Sequence, residues 1–204
     1  MRRYEHGGAV SVWVAIAVLC LVFGTEINTM AEEKLLYDFS DPDAAAGWTA
    51  INDVVMGGVS SGGMETTEDG TVVFEGRVSL ENNGGFASIR SGSRGWDLGS
   101  YSGIVMRVRG DGRRYKLNLK TDSSFDGIMY RAPFETREGE WQELRFPFAE
   151  FEASFRGRAV PGAPPLDPAR IASIGVLISD KQAGPFRLEI ARIAAYSDQD
   201  RETP

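Results

Sequence analysis

Among 204 residues the chain has one histidine and one cysteine, and both, His6 and Cys20, fall within the first twenty positions. From residue 32 onward there is neither. A domain without imidazole or thiol cannot assemble a Ser–His–Asp or Cys–His catalytic unit. It cannot build zinc or iron–sulfur sites from those ligands, and no disulfide can brace it. Carboxylate chemistry, oxygen-ligand metals and binding without chemistry remain. Positive charge is also scarce: 22 Lys+Arg stand against 29 Asp+Glu, a net charge of −7. Arg2, Arg3, Glu5 and Glu26 cancel within residues 1–31, so the rest of the chain carries the same excess. An acidic domain with no basic run repels phosphate backbones, which argues against nucleic acid as a partner.

Long hydrophobic runs are missing except at the start. Arg2 and Arg3 precede an uncharged apolar stretch over residues 9–24, and Thr29-Met30-Ala31 supplies small residues at a cleavage position. Basic, apolar, then small is the order of a secretory signal. The apolar stretch is shorter than the ~20 residues of a spanning helix. Residues 1–31 therefore read as a signal peptide, with an uncleaved anchor as the alternative. The domain over residues 32–204 is expected to be exported: periplasmic, or membrane-tethered outside the cytoplasm.

After residue 32 no extended 3.6-residue periodicity occurs. Short alternating or apolar runs recur between Gly, Asn, Asp and Pro, predicting strands over 35–39, 64–67, 71–78, 86–90, 103–109, 115–121, 128–134, 141–146, 174–179 and 186–196. About ten antiparallel strands at this spacing predict a single all-β domain, a sandwich or barrel. In the run at 115–121, Tyr115, Leu117 and Leu119 share one face and Lys116, Asn118 and Lys120 the other. Asp111-Gly112 lies between this run and the one before it and reads as a hairpin turn. That pairing would put Arg107, Arg109, Lys116 and Lys120 on one polar sheet face. Asp167-Pro168 carries the N-cap and first-position Pro of one short helix, and the proline-rich residues 158–168 read as an ordered loop.

Two glycine-rich stretches stand out. In the first, Asn52-Asp53 precedes Val54-Val55-Met56, then Gly57-Gly58-Val59-Ser60 and Gly62-Gly63. Glycine pairs permit positive φ and close backbone approach, so this is either an anion-binding nest or a pair of tight turns, and the physics favours the turns. No helix and no GK[ST] ending follow, so it is not a nucleotide loop. In the second, Asn83-Gly84-Gly85-Phe86 leads into Ser88 and Arg90. Asn83-Gly84 suits a hairpin turn, while Ser88 and Arg90 would share a strand face able to hold a polar or anionic group. Asp53, Asp122, Asp126, Glu135, Asp180 and Glu189 lie on or near strand ends. A glycosidase would need two such carboxylates roughly 5–10 Å apart. Calcium would need converging loop oxygens, and neither residues 38–43 nor 122–126 have the spaced acidic pattern. Trp48, Trp96, Trp141, Tyr101 and Tyr130 could include a sugar-stacking platform, although Trp141, ahead of Leu144 and Phe146, reads as core.

Asn52-Asp53-Val54-Val55-Met56-Gly57-Gly58-Val59-Ser60, followed by Asn83-Gly84-Gly85-Phe86-Ala87-Ser88-Ile89-Arg90, resembles the complex I intermediate-associated protein 30 family. Asp38-Phe39, Arg109-Gly110-Asp111-Gly112-Arg113, Phe146-Pro147-Phe148, Phe155-Arg156-Gly157 and Gly184-Pro185-Phe186 follow in the family's order. The resemblance implies a galactose-binding-like jelly roll. It also implies a non-catalytic, chaperone-like assembly factor without a metal or other cofactor, whose partner is a protein: a membrane respiratory complex or its intermediates. The implied signature positions are Asn52, Asp53, Met56, Gly57, Gly58, Ser60, Asn83, Gly84, Gly85, Phe86, Ser88 and Arg90. The alternative is an exported carbohydrate-binding module with a glycan as ligand, and a carboxylate hydrolase is a third reading.

Overall fold

Alternation of apolar and polar residues dictates strands through most of the chain. A computed structural model describes residues 32–198; the signal-peptide reading of residues 1–31 falls outside them. The strands are β1 (Glu33–Asp38), β2 (Thr49–Asn52), β3 (Ser61–Thr66), β4 (Val72–Val78), β5 (Ala87–Arg90), β6 (Gly103–Arg109) and β7 (Arg114–Lys120). They continue as β8 (Met129–Glu135), β9 (Trp141–Pro147), β10 (Glu152–Phe155), β11 (Arg158–Ala159), β12 (Ser173–Ile178) and β13 (Gly184–Tyr196). Helix among the described residues is confined to short 3₁₀ turns. One of them, Pro168–Arg170, is capped by the Asp167 side chain, which accepts from the Ala169 amide.

Two antiparallel sheets result. The six-stranded sheet runs β3-β4-β13-β6-β9, with β1 also paired to β13, and the seven-stranded sheet runs β11-β10-β8-β7-β12-β5-β2. Their facing sides make the core. Tyr115, Leu117 and Leu119 of β7 and Ile174, Val176 and Ile178 of β12 meet Ile104, Met106 and Val108 of β6 and Leu188, Ile190 and Ile193 of β13. Each such side chain contributes about 1.5–3 kcal/mol by leaving water. The inward residues of β13 do not keep a strict two-residue period. Its register against β6 shifts between Ile190 and Arg192, and this bulge lets Ile190 and Ile193 both point inward. The expected all-β sandwich is present, with β2, β10 and β11 added to the strands read from sequence.

Two pairings differ from expectation. Asp111-Gly112 does not close a hairpin, because β6 pairs with β9 and β13 while β7 pairs with β8 and β12. Arg107 and Arg109 thus lie on a different sheet from Lys116 and Lys120. Asp111 is occupied otherwise: its carboxylate accepts from the Tyr115 hydroxyl at 2.9 Å and from the Arg187 amide at 2.9 Å. Asn83-Gly84 is likewise no hairpin, since it carries the chain from β4 in one sheet to β5 in the other. Asn82 and Asn83 turn it there with φ of 54° and 58°, the left-handed region that asparagine tolerates best after glycine.

Close sheet packing around β4 needs a missing side chain. A Cβ on Gly76 would stand 2.0 Å from the Ser61 carbonyl oxygen of the neighbouring strand. Gly76→Ala is expected to cost about 1–3 kcal/mol, read as a lowered urea midpoint with an unchanged m-value.

Candidate functional site

Two chain crossings between the sheets lie side by side. Residues 53–60 lead from β2 to β3 and residues 79–86 from β4 to β5, while β3 pairs with β4 and β2 with β5. The first crossing begins with a 3₁₀ turn, Asp53–Met56, which ends at Gly57 with φ of 88°. A side chain at Gly57 would be strained in that left-handed conformation. The Gly57 amide then closes on the Val54 carbonyl and the Gly58 amide on the Asp53 carbonyl, both at 3.0 Å.

Asp53 joins the two crossings. It is fully buried, yet its carboxylate has a full set of donors. Oδ1 accepts from the Ser60 amide at 2.9 Å, and Oδ2 accepts from the Ser60 hydroxyl at 2.5 Å. From the other crossing, Oδ2 accepts from the amides of Gly85 at 2.6 Å and Phe86 at 3.2 Å. Ser60 extends the joint, since its hydroxyl oxygen accepts from the Ser79 amide at 2.9 Å. The Asp53 amide returns a bond to the Phe86 carbonyl, and the Asn52 side-chain amide donates to the Gly62 carbonyl at 2.9 Å. Space for this carboxylate comes from glycines: a Cβ on Gly58 would stand 2.4 Å from Asp53 Cγ, and one on Gly84 would stand 2.6 Å from Oδ2. Burial alone would raise the Asp53 pKa. The hydrogen bonds from Ser60, Gly85 and Phe86 outweigh it and hold the carboxyl below its ordinary range.

Nine of the twelve signature positions, Asp53 to Phe86, therefore fall on these two crossings, and Asn52 ends the strand that enters the first. Ser88 and Arg90 do not join them. They point from β5 to the outer face of the seven-stranded sheet, where the Ser88 hydroxyl donates to the Ile51 carbonyl at 2.6 Å. Arg90 donates to the Phe125 carbonyl at 3.3 Å and to the Met129 sulfur at 3.5 Å. Sequence reasoning missed what the first crossing presents. Val54, Val55 and Met56 are 62%, 63% and 62% exposed, with Val59 and Leu80 exposed as well. The signal was there: a run of large apolar residues inside a glycine-flanked turn, where polar residues are the rule.

Other candidates resolve differently. Glu189 is buried, with Arg109 at 2.6 Å and the Thr71 hydroxyl at 2.8 Å occupying its two oxygens. Trp48 and Trp96 are not a stacking platform, because both make edge contacts with the buried Tyr37 ring. Tyr130 is buried, its hydroxyl donating to the Pro164 carbonyl, and Tyr101 packs against the core. Trp141 is not core: its register partner is Arg109 and it lies on the outer face of the six-stranded sheet. There it sits beneath the guanidinium groups of Arg107 and Arg109, along an open groove of about 460 Å³. Among the described residues no group of three or more Asp, Glu, His or Cys side chains could hold a metal ion.

Solved structures identify the class. The fold is similar to that of a family 11 carbohydrate-binding module from a cellulosomal cellulase of Clostridium thermocellum, at 17% identity and a TM-score of 0.61, over 84% of this chain and 98% of that one. A second structure of a family 11 module from the same organism, in complex with a mixed-linked tetrasaccharide, gives 18% identity and a TM-score of 0.60, over 81% and 95%. At such identities the likeness concerns architecture, a galactose-binding-like jelly roll. Sequence then narrows the class, because residues 37–190 match the family profile described as Complex I intermediate-associated protein 30. The chain belongs to that family. It is 33% identical to the mitochondrial complex I intermediate-associated protein 30 of Drosophila melanogaster, over 84% of this chain and 66% of that protein. The corresponding protein of Mus musculus is 30% identical, over 83% and 58%. The chain thus matches less than two thirds of the length of either relative.

These relatives correct one expectation. They are mitochondrial by name, as is a Neurospora crassa relative at 24% identity over 81% of this chain and 74% of its own. An exported, periplasmic domain behind a signal peptide conflicts with that. A basic, apolar N-terminus was insufficient ground for assigning a compartment.

Asp53→Asn would keep the shape, remove the charge and turn an NH₂ group toward donors. It is expected to cost about 3 kcal/mol near neutral pH. Because the folded pKa is depressed, the carboxylate's contribution is complete above the unfolded value of about 3.9 and is lost as pH falls through the lower folded value. Denaturant titrations across that range should show wild-type stability falling toward the variant's, whose own profile is flatter.

Proposed function

We propose that this chain is a non-catalytic assembly-factor domain that holds an intermediate of respiratory complex I through the exposed apolar turn at Val54, Val55 and Met56. Membership of a family whose curated relatives are named as complex I intermediate-associated proteins supports the assembly role. The observation that carries the reading is the contrast between that turn and what lies beneath it. Three large apolar side chains are presented to solvent on a loop fixed by a saturated buried carboxylate. A rigid apolar projection loses little entropy on docking, so burial of its area is available for binding. The twelve signature positions then divide by task. Asn52, Asp53, Gly57, Gly58, Ser60, Asn83, Gly84, Gly85 and Phe86 frame the turn, Met56 makes contact, and Ser88 and Arg90 belong to another face.

The non-catalytic part rests on chemistry. No residue from 32 onward is His or Cys, and the two buried carboxylates among the described residues, Asp53 and Glu189, are fully engaged by donors. A general acid or base needs an oxygen free to exchange a proton with a substrate. Of the aromatic residues that motivate the carbohydrate-binding alternative, Trp48 and Trp96 turn inward, which weakens it.

The experiment is affinity purification of the tagged full chain from detergent-solubilised membranes. Wild type is expected to recover subunits of complex I intermediates. Val55→Asp and Met56→Asp, at exposed positions, should reduce recovery at least about tenfold while leaving the thermal midpoint within a degree or two. Undiminished recovery by both variants would remove this turn as the contact.

A further inference from the structure

The outer face of the seven-stranded sheet carries a second arrangement, away from the two crossings. Register places Thr49, Arg90, Gly175, Asn118, Arg131 and Glu152 in one row across β2, β5, β12, β7, β8 and β10. Register partners share a face, and the flanking rows, with Ile89, Val176, Leu117 and Ala132, point into the core. This row therefore points outward. Gly175 at its middle has no side chain, and Arg90 reaches across it toward Met129 of β8, on the side of Asn118 and Arg131.

Most polar face residues are matched to a partner, but this row is not. Lys116 pairs with Asp180 at 2.6 Å, and Lys120, itself almost fully buried, lies 3.4 Å from Asp122 and donates to the Ser124 carbonyl at 2.6 Å. Arg90 and Arg131 have no carboxylate within ion-pair distance among the described residues, although Glu152 is the register partner of Arg131. Burial depresses both guanidinium pKa values. At Arg131 the charge of Asp180 offsets this and that of Arg90 adds to it, so the two arginines sense each other.

Three polar atoms of this face are also buried without a hydrogen-bond partner: Arg131 Nε, Asn118 Oδ1 and Ser154 Oγ. Asn118 and Ser154 are each 7% exposed, and Ser154 is the register partner of Met129, two residues along β8 from Arg131. Buried polar groups are nearly always paired, and leaving one unpaired costs about 1–3 kcal/mol. Three such atoms on one sheet face, with two arginines that lack a carboxylate partner, define the chemistry that would satisfy them. The arginines call for an anion that accepts planar, paired hydrogen bonds. Asn118 and Ser154 call for hydroxyl groups, which both donate and accept.

We propose that the row Arg90–Gly175–Asn118–Arg131, with Ser154, binds a phosphate group carried on a polyol. Arg90, reaching across Gly175, and Arg131 take the phosphate together, while Asn118 and Ser154 take the hydroxyls of the carrier. Residues 121–128 border the site, where the Phe125 carbonyl holds Arg90 and Asp126 ties the loop to Arg156 at 2.5 Å. The same chemistry could come from a free polyol phosphate or from a phosphoglycerol lipid headgroup. The site shares no residue with the turn at Val54–Met56, so either can fail without the other.

The test uses the full chain, ¹⁵N-labelled, titrated with glycerol 3-phosphate, inorganic phosphate and glycerol separately, and in a second arm sedimented with phosphatidylglycerol or phosphatidylcholine vesicles. Glycerol 3-phosphate is expected to shift the Gly175, Asn118 and Arg131 amides and the Arg131 Nε–H, with inorganic phosphate weaker and glycerol silent. Saturable binding of free glycerol 3-phosphate assigns a soluble ligand. Sedimentation with phosphatidylglycerol but not phosphatidylcholine vesicles, abolished by the variants below, assigns the headgroup. Arg131→Gln should weaken binding at least about tenfold, and Arg90→Gln/Arg131→Gln should abolish it. Asn118→Asp, nearly isosteric, should also abolish it by placing a negative charge beside Arg131, which keeps the test valid if the double variant folds poorly. No response in either arm, a response equal for glycerol alone, or binding untouched by Asn118→Asp would overturn the proposal.

Discussion

One ionised carboxylate buried between two loops sets the form of this domain's signature region. Taking Asp53 out of water is costly by several kcal/mol unless hydrogen bonds replace the lost hydration. Those bonds come from both crossings at once: from Ser60 on its own, and from the Gly85 and Phe86 amides on the other. Neither loop can shift alone without leaving an anion buried and underbonded. The glycines on both sides follow from this requirement, because atoms at the Gly58 and Gly84 Cβ positions would occupy the space of the carboxyl group. The anion that a glycine-rich nest would hold is therefore internal to the chain.

That joint connects the two sheets at the point where the chain changes sheet twice. Across the rest of the sandwich, packing is generic β packing, with inward side chains from β6, β7, β12 and β13 filling the interior. At the crossings the apolar residues instead face solvent. The turn that begins at Asp53 buries its only acidic side chain and exposes Val54, Val55 and Met56, the inverse of an ordinary surface turn. Holding large apolar groups in water costs stability unless something covers them.

Strand positions were legible because one-sided burial imposes alternation, as at Tyr115, Leu117 and Leu119. β2, with Thr49-Ala50-Ile51-Asn52, has no such contrast, since it is a four-residue edge strand; β10 and β11 are short and lie at the opposite edge. Pairing was less legible than position. Asp111-Gly112 has hairpin composition but turns the chain between sheets, and its carboxylate is held there by Tyr115 and by Arg187 from a strand remote in sequence. Trp141 was misplaced by one strand face, because its neighbours Leu144 and Phe146 obscured that Trp141, Glu143 and Arg145 alternate together. At the candidate site, residue identities were visible in advance. Their roles were not, because the meeting of Asp53 with Gly85 depends on two crossings coming together, and the row from Arg90 to Arg131 depends on register across four strands.

Amide hydrogen exchange read residue by residue tests the central claim most directly. If Asp53 joins the crossings, the Ser60, Gly85 and Phe86 amides should be protected to a similar extent in the wild-type chain. In Asp53→Asn, under conditions where the protein remains folded, these three should lose protection together by a hundredfold or so, which is about 3 kcal/mol. Amides in the middle of β6 and β13 should then change only by the drop in global stability. Retained protection at Gly85 and Phe86 in the variant, or loss confined to Ser60, would contradict the account.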